Sequence, residues 1–270
     1  MQFSVLQSFI IIFIPFSAFK PIILFVFLKN ICMEVCYLNL FAISDLHLSF
    51  GSDKPMDVFR GWENYTDRLK ANWNRLVGEN DTVVIAGDIS WSISLDGAKA
   101  DFEFINSLNG NKILLKGNHD YWWGTANKIN EFLKENKFDS IKILHNNFYS
   151  DGNVAICGTR GWLYDGTGEQ DKKVISRECG RLQTSIKGAV DSGVKPIVFL
   201  HYPPAYGEFV CQEIIDVINK YDINQIYFGH IHGSGYNKAL KEYNGLKMKL
   251  ISCDCVDFTP VFVGSCGSFN

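Results

Sequence analysis

From residue 35 onward the chain alternates short apolar runs with amphipathic stretches, and no other feature limits the fold as strongly. This alternation is typical of α/β proteins, in which helices pack on sheets. Most stretches between the apolar runs are predicted helices. One covers residues 57–77, where Val58, Trp62, Tyr65, Leu69, Trp73 and Leu76 recur at spacings of three and four. The predicted strands are 37–44, 81–87, 111–117, 141–144, 153–158, 195–201, 225–230, 246–253 and 258–263.

Composition favours one globular domain over residues 33–270. Hydrophobic residues make up 47% of the 270 and charged residues 20%, which argues against disorder. A net charge of -3 makes nucleic acid an unfavourable partner and suits a small molecule better. The eight cysteines are dispersed, so we expect reduced thiols and a cytoplasmic protein. A zinc site at Cys253 and Cys255 is disfavoured, because the only other close pair, Cys32 and Cys36, adjoins an atypical N-terminal segment.

Residues 1–32 form a strongly hydrophobic extension with three possible origins. A spanning helix needs about 20 apolar residues, and here it would have to bury Lys20 and bend at Pro15 and Pro21. The segment is therefore a poor membrane anchor, an uncleaved targeting segment, or the product of a start codon assigned too early. Met33, just before the first predicted strand, would serve as the alternative start. We favour the early start, and expect membrane attachment only if the extension exists in the native protein.

Polar side chains are concentrated at the ends of five predicted strands. In open α/β sheets, ligands bind beyond the carboxyl ends of the strands. Two of the pairs, in "DLH" and "HIH", are spaced two residues apart, and an extended segment would direct both side chains to one point. Five of the six histidines belong to these groups, and His145 is the exception. The clustered residues are Asp45, His47, Asp88, Asn118, His119, Asp120, His201, His230 and His232.

Metal binding explains these groups together. Buried polar groups without partners would each cost kilocalories, and imidazole with carboxylate or amide oxygen suits Mn, Fe, Zn or Ni. Seven candidate ligands are too many for one catalytic ion, which typically takes three. The sequence therefore predicts two divalent ions that share a bridging carboxylate. The predicted ligands are Asp45, His47, Asp88, Asn118, His201, His230 and His232.

The order of these motifs resembles the calcineurin-like metallophosphoesterase superfamily. Its pattern is matched by "DLH" (45–47), "GD" (87–88), "GNHD" (117–120), "H" (201) and "GHIH" (229–232). Five separated motifs in order are far more specific than one short pattern. The resemblance implies a four-layer α/β/β/α sandwich of two mixed sheets. "GDISW", "LLKGNHDYWW", "CGTRGW" and "LHYPP" further resemble a bacterial subgroup of predicted phosphohydrolases.

The resemblance also implies a role for each motif residue. One ion would be held by Asp45, His47, Asp88 and His232, and the other by Asp88, Asn118, His201 and His230. A hydroxide bridging the two ions would attack the phosphoester, with Mn the metal most suited to assays in vitro. His119 would be the general acid for the leaving group, and Asp120 would orient it.

Substrate contacts are expected in two loops. Tyr121 and Trp122, with Trp123, follow the "GNHD" motif and would either stack on a substrate base or pack beneath the loop. Arg160 would either bind phosphate or form a structural ion pair. The predicted function is hydrolysis of phosphomonoesters or phosphodiesters of a small substrate. The alternatives are a catalytically silent protein-binding scaffold and a membrane-attached lipid pyrophosphatase; the sequence does not indicate the oligomeric state.

Overall fold

Thirteen strands and five α-helices make up the part of the chain that the computed structural model describes, residues 38–151, 154–162 and 168–265. The strands are β1 Asn39–Ile43, β2 Thr82–Ala86, β3 Asn111–Leu115, β4 Ile141–Leu144, β5 Tyr149–Asp151, β6 Val154–Thr159, β7 Lys195–Leu200, β8 Ala205–Tyr206, β9 Phe209–Val210, β10 Gln225–Phe228, β11 Glu242–Tyr243, β12 Leu246–Leu250 and β13 Val261–Ser265. The helices are α1 Tyr65–Leu76, α2 Lys99–Ser107, α3 Ala126–Glu135, α4 Glu169–Asp191 and α5 Gln212–Asn219. A short 3-10 helix covers Gly233–Lys238.

Two mixed sheets form the centre of the fold. The first has the order β13-β1-β2-β3-β4, with β13 antiparallel to β1 and the other neighbours parallel. The second has the order β11-β12-β10-β7-β6-β5, with antiparallel pairs at both edges and parallel strands between them. Strands β8 and β9 form a separate two-stranded sheet. Parallel strands need crossover connections, which the helices supply.

Three apolar cores separate four layers. Residues such as Leu40, Val84 and Phe199 fill the core between the two sheets. A second core joins α1, α2 and α3 to the outer face of the first sheet, and a third joins α4 and α5 to the second sheet. Because both faces of each sheet are covered, strands such as β2 and β6 are continuously buried. Strand β12, LKMKL, still alternates between buried and exposed residues. The predicted α/β/β/α sandwich of two mixed sheets is confirmed.

The helix predicted over residues 57–77 begins later than its apolar spacing indicates. Helix α1 starts at Tyr65, and Val58 is 71% exposed. Gly61 and Asn64 both have positive φ angles, which an α-helix does not accommodate. Tyr65, Leu69 and Trp73 are buried as predicted.

The hydrophobic extension, residues 1–32, lies outside the described residues. Its three possible origins therefore stay predictions. In the ranges that are described, the helices lack the combination of length and apolarity required to cross a bilayer.

The carboxyl ends of the central strands from both sheets meet at one end of the sandwich. The Ser44 amide, just beyond β1, donates to the Ile251 carbonyl, just beyond β12, at 2.9 Å. The Asp45 amide donates to the Gly87 carbonyl beyond β2 at 2.9 Å. These bonds bring the polar strand ends of the two sheets into one region.

Candidate metal centre

The first group of candidate ligands comprises Asp45, His47 and His232. Their ligand atoms all lie within 4.8 Å of one another. His232 Nε2 is 3.3 Å from both Asp45 Oδ1 and His47 Nε2. Asp45 and His47 are buried and His232 is partly exposed, so the group opens to solvent on one side.

The second group comprises Asp88, His201 and His230, again with ligand atoms within 4.8 Å of one another. His201 Nε2 lies 3.4 Å from Asp88 Oδ2 and 2.7 Å from Asn118 Oδ1, which places the amide beside this group. His47 Nε2 lies 3.8 Å from the same Asp88 oxygen. Asp88 is therefore situated between the two groups, as a bridging carboxylate must be.

The convergence of Asp45 with His47 was predicted for the wrong reason. Both residues have left-handed backbones, with φ of 60° and 46°, and neither belongs to a strand. Asp88 and His230 are also left-handed, with φ of 51° and 71°. Tight turns after the strands, rather than alternation along them, direct these side chains inward.

The glycines of two motifs allow the ligand segments to approach one another. A Cβ at Gly117 would overlap Asp88, and a Cβ at Gly229 would overlap Ser44 and Asp45. The close approach allows the His230 amide to donate to both Asp45 carboxylate oxygens, at 2.9 and 3.1 Å. A side chain at either glycine would push apart the segments that carry the ligands.

Burial and neighbouring carboxylates divide the four imidazoles into two pairs. Burial lowers the pKa of His47 and of His230 to about 4. Burial also opposes protonation of His201 and His232, but the adjacent carboxylates outweigh it and raise the pKa to about 9 and about 10 respectively. Without an ion, the last two histidines hold protons at neutral pH.

The residues present fit two divalent ions. The nitrogen and oxygen atoms that converge here belong to imidazole, carboxylate and amide groups, which suit borderline-to-hard cations. His47 Nε2 and His232 Nε2 lie within hydrogen-bond distance of each other, at 3.3 Å. A cation bound at these nitrogens would replace this hydrogen bond and the protons held by His201 and His232.

His119 lies beside the centre, next to His47. It is half-buried; its ring centroid is 5.7 Å from that of His47 and 4.4 Å from that of Trp91. Its amide donates to Asp88 Oδ1 at 2.8 Å, which fixes the backbone next to the bridging carboxylate. The Nδ1 atom is buried and has no hydrogen-bond partner among the described residues.

The predicted role of Asp120 in orienting His119 is wrong. The fully buried Asp120 carboxylate accepts hydrogen bonds from the Gly117 amide at 2.7 Å and the Ile89 amide at 2.8 Å. The Ser90 amide and Trp122 Nε1 also donate to it, at 3.2 and 3.1 Å. A carboxylate occupied by four donors fastens the loop instead. Sequence adjacency misled here, because neighbouring side chains in a turn diverge.

Trp122, one of the predicted substrate contacts, packs in the interior. It is 3% exposed, and its ring packs edge-on against Phe102 at 5.0 Å. Trp123 is 8% exposed, so the packing alternative holds for both tryptophans. Tyr121, in contrast, is 61% exposed, with its ring 6.1 Å from that of His119. Its contact with substrate stays a prediction.

Arg160 forms part of the structural ion pair that was one of its two expected roles. Its Nη2 atom lies 3.9 Å from Glu178 Oε1. This distance is longer than a hydrogen bond, so the pair does not occupy the guanidinium. Its contact with phosphate stays a prediction.

Sequence reasoning missed two residues of the site, Asp254 and Trp91. Asp254 Oδ1 lies 2.8 Å from His232 Nδ1, the ring nitrogen on the side away from Asp45. Trp91 stacks on His47 at 4.8 Å and contacts His119. Asp254 follows a strand, as the predicted ligands do, but this stretch was considered only for a zinc site at Cys253 and Cys255, which the sequence disfavours. Trp91, in "GDISW", carries no local signal beyond its position after Asp88.

Comparison with known proteins identifies the family to which this fold and these two ligand groups belong. The sequence model of the calcineurin-like phosphoesterase family matches residues 38–234, and the chain belongs to this family. The family binds a dinuclear divalent metal centre, and the two groups described above are candidate ligand sets for it. The chain is therefore a metal-dependent phosphoesterase, a hydrolase.

Two relatives are similar in sequence. The uncharacterized protein MJ1445 of Methanocaldococcus jannaschii is 31% identical over 135 residues, which cover 47% of this chain and 68% of the relative. A probable cyclic nucleotide phosphodiesterase of Coxiella burnetii is 23% identical over 214 residues, which cover 74% of this chain and 78% of the relative.

Two solved structures are similar in fold. TT1561 of Thermus thermophilus has a TM-score of 0.50 at 12% identity, covering 85% of this chain and 99% of its own. AQ665 of Aquifex aeolicus, titled a protein of unknown function, has a TM-score of 0.48 at 17% identity, covering 83% and 95% respectively.

Proposed function

We propose that the protein hydrolyses a small phosphoester at a centre of two divalent ions, with His119 protonating the leaving group. The observation that carries the proposal is the position of Asp88 between two ligand groups, 3.4 Å from His201 and 3.8 Å from His47. Asp45, His47, Asp88 and His232 would hold one ion, and Asp88, Asn118, His201 and His230 the other. When bound, such ions supply an activated water and neutralise charge on the phosphoryl oxygens.

The protein's own residues supply orientation and proton transfer. Trp91 packs against the His119 ring with the centroids 4.4 Å apart, and the His119 amide donates to Asp88, which holds the His119 backbone next to the centre. Burial lowers the pKa of His119 below its ordinary value. The negative charge of a bound phosphoester would favour the imidazolium, so His119 would take up its proton with the substrate and pass it to the leaving oxygen.

The substrate class is a small phosphoester rather than nucleic acid. The chain has a net charge of -3, which disfavours binding to a polyanion. A relative 23% identical to this chain is a probable cyclic nucleotide phosphodiesterase, so cyclic nucleotides belong in any substrate panel. The same panel distinguishes monoester from diester hydrolysis. We propose Mn²⁺ as the ion that supports the reaction in this assay.

The test is hydrolysis by the purified full-length protein loaded with Mn²⁺. The panel contains bis-p-nitrophenyl phosphate, p-nitrophenyl phosphate, nucleoside monophosphates and cyclic nucleotides. We expect turnover of at least one of these. Inactivity on all of them by protein that holds two ions, measured by metal analysis, would refute the proposal and favour a protein-binding scaffold.

Two variants separate metal binding from proton transfer. Asp88→Asn should bind both ions more weakly, whereas His119→Ala should keep both ions and lose turnover by about 10²–10⁴-fold. Asp139→Asn, at an exposed carboxylate, is the matched control and should behave as wild type. Equal metal loss in Asp88→Asn and His119→Ala would contradict the assigned roles.

A further inference from the structure

A cluster of basic side chains adjoins the second group of ligands, and the reaction proposed above does not use it. This basic cluster consists of Lys116, His145, Arg160 and Arg181. Lys116 follows β3, His145 follows β4 and Arg160 follows β6, so three of its members lie at the same end of the sandwich as the ligands. Arg181 projects from α4.

One buried carboxylate, Glu178 on α4, lies within the basic cluster, and its two oxygens already have close donors. Arg181 Nη1 donates to Oε1 at 2.9 Å, and the Thr159 hydroxyl donates to Oε2. Arg160 Nη2 is 3.9 Å away, and Arg160 Nε is buried with no hydrogen-bond partner among the described residues. The Arg160 guanidinium is thus positioned by Glu178 without being saturated by it.

Aromatic rings connect Arg160 to the metal centre. The guanidinium lies over Trp162, 5.0 Å from the ring centroid. Trp162 is 5.6 Å from Tyr202, and Tyr202 is 4.2 Å from the ligand His230. The backbone gives a second connection, because the Arg160 carbonyl accepts hydrogen bonds from the amides of His201 and Tyr202, at 3.2 and 2.8 Å.

Lys116 adds a second cation at the same edge of the centre. It lies two residues before Asn118, and two residues span at most about 7 Å. Its side chain is half-buried, and Arg160, Arg181, Asp120 and Glu178 are its charged neighbours. Three cationic side chains, Lys116, Arg160 and Arg181, thus lie near two carboxylates, Glu178 and Asp120, both of which already accept hydrogen bonds.

We propose that the basic cluster binds a second phosphate group of the substrate while the first lies at the metal centre. The substrate would then be a small molecule with two phosphate groups, and Arg160 and Lys116 would select it. Guanidinium matches phosphate with paired hydrogen bonds, and Arg160 Nη2, 3.9 Å from Glu178, makes no hydrogen bond to that carboxylate. This inference rests on the proposed function, since it assigns the substrate class of the same centre.

The experiment compares matched substrates that differ by one phosphate. The Mn²⁺-loaded protein is given adenosine 5′-monophosphate and adenosine 3′,5′-bisphosphate, then fructose 6-phosphate and fructose 1,6-bisphosphate. We expect kcat/KM to be about tenfold or more higher for the bisphosphate of at least one pair, as for one charge-assisted hydrogen bond or more. Equal values within both pairs would overturn the inference.

Three variants test which residues cause the preference for the bisphosphate. Arg160→Gln and, independently, Lys116→Gln should each lower the preference for the bisphosphate about tenfold. Arg177→Gln, at an exposed arginine of α4, is the matched control and should keep the preference. Thermal denaturation shows whether Arg160→Gln disturbs Glu178; Lys116→Gln tests the inference without removing a Glu178 ion pair. A preference that both Arg160→Gln and Lys116→Gln retain would overturn the assignment.

A binding measurement gives a readout that does not need turnover. Adenosine 3′,5′-bisphosphate is titrated calorimetrically into full-length protein in the presence of a chelator. Wild type should bind about tenfold more tightly than Arg160→Gln, and equal affinities would count against the basic cluster. Hydrolysis of bis-p-nitrophenyl phosphate distinguishes a failure of this inference from a failure of the proposed function. Hydrolysis of this compound without bisphosphate preference defeats this inference alone, whereas no hydrolysis of any substrate defeats the proposed function.

Discussion

Replacing Asp254 by Asn should weaken the binding of one ion and leave the binding of the other unchanged. Asp254 Oδ1 lies 2.8 Å from His232 Nδ1, and Oδ2 lies 3.3 Å from the Gly233 amide. The carboxylate fixes the imidazole so that Nε2 faces the first ligand group, and its charge makes that nitrogen more basic. Asn keeps the size and one acceptor oxygen but removes the charge.

The expected magnitude follows from the type of hydrogen bond lost. A hydrogen bond to a charged group contributes about 1.5–3 kcal/mol, and about 1.4 kcal/mol corresponds to a tenfold change in affinity. Asp254 is largely buried, so water does not replace the interaction at no cost. We expect Asp254→Asn to raise the Kd of the first ion about tenfold, and Asp254→Ala to raise it up to about a hundredfold.

Competitive titration of Mn²⁺ against a chromogenic chelator measures both dissociation constants. The matched control is Asp257→Asn, three residues along the same segment, because the Asp257 carboxylate is 83% exposed and pairs with Arg68. Its affinities should equal those of wild type. Wild-type affinity for both ions in Asp254→Ala would refute the reasoning, as would an equal loss at both sites.

Three further predictions concern protons and stability. Metal affinity should increase from pH 6 to pH 9, because His201 and His232, with pKa raised to about 9 and about 10, must release protons to bind; a Kd that calorimetry finds independent of pH would contradict this. Burial lowers the pKa of Lys112 to about 8, so the folded state loses this proton before the unfolded state does. The free energy of unfolding of wild type relative to Lys112→Met should therefore increase between pH 8 and 10.5 in urea titrations, and a decrease would be the wrong sign. Asp120→Ala leaves four donors unpaired and should lower the free energy of unfolding by about 3 kcal/mol or more; a change below about 0.5 kcal/mol would contradict its role in fastening the loop.

Sequence reasoning was successful where burial governs the pattern. All nine predicted strands are present. Strands such as β2 and β6 were easily recognised because a strand covered on both faces is continuously apolar, whereas the edge strand β13 begins at Val261, three residues later than predicted. The strands it missed, β5, β8, β9 and β11, have two or three residues each and lie at an edge or in the separate sheet, where little is buried. Apolar spacing extended α1 backward to Val58, because periodicity does not register the positive φ angles of Gly61 and Asn64.

Motif order predicted the candidate ligands. It did not predict the contacts that depend on how the chain turns after each strand. Asp120 and Trp122 follow His119 so closely that adjacency suggested a shared role, yet both side chains face the interior. Asp254 is 22 residues from His232 in sequence. Only the folded chain brings that pair together, through the end of β12. A carboxylate directly after a strand was the available signal.

The left-handed backbones of Asp45, His47, Asp88 and His230 show how this fold prepares its ligands. Such conformations cost on the order of 1–3 kcal/mol each and persist only where surrounding structure fixes them. Here the Asp45 amide bonds to Gly87, the His47 amide to the Asp88 carbonyl, and the His230 amide to the Asp45 carboxylate. These bonds belong to the protein alone, so the ligand positions do not depend on an ion to create them. Because Asp45 is both a candidate ligand and the acceptor that holds His230, its loss should disturb both ligand groups, although its carboxylate belongs to only one.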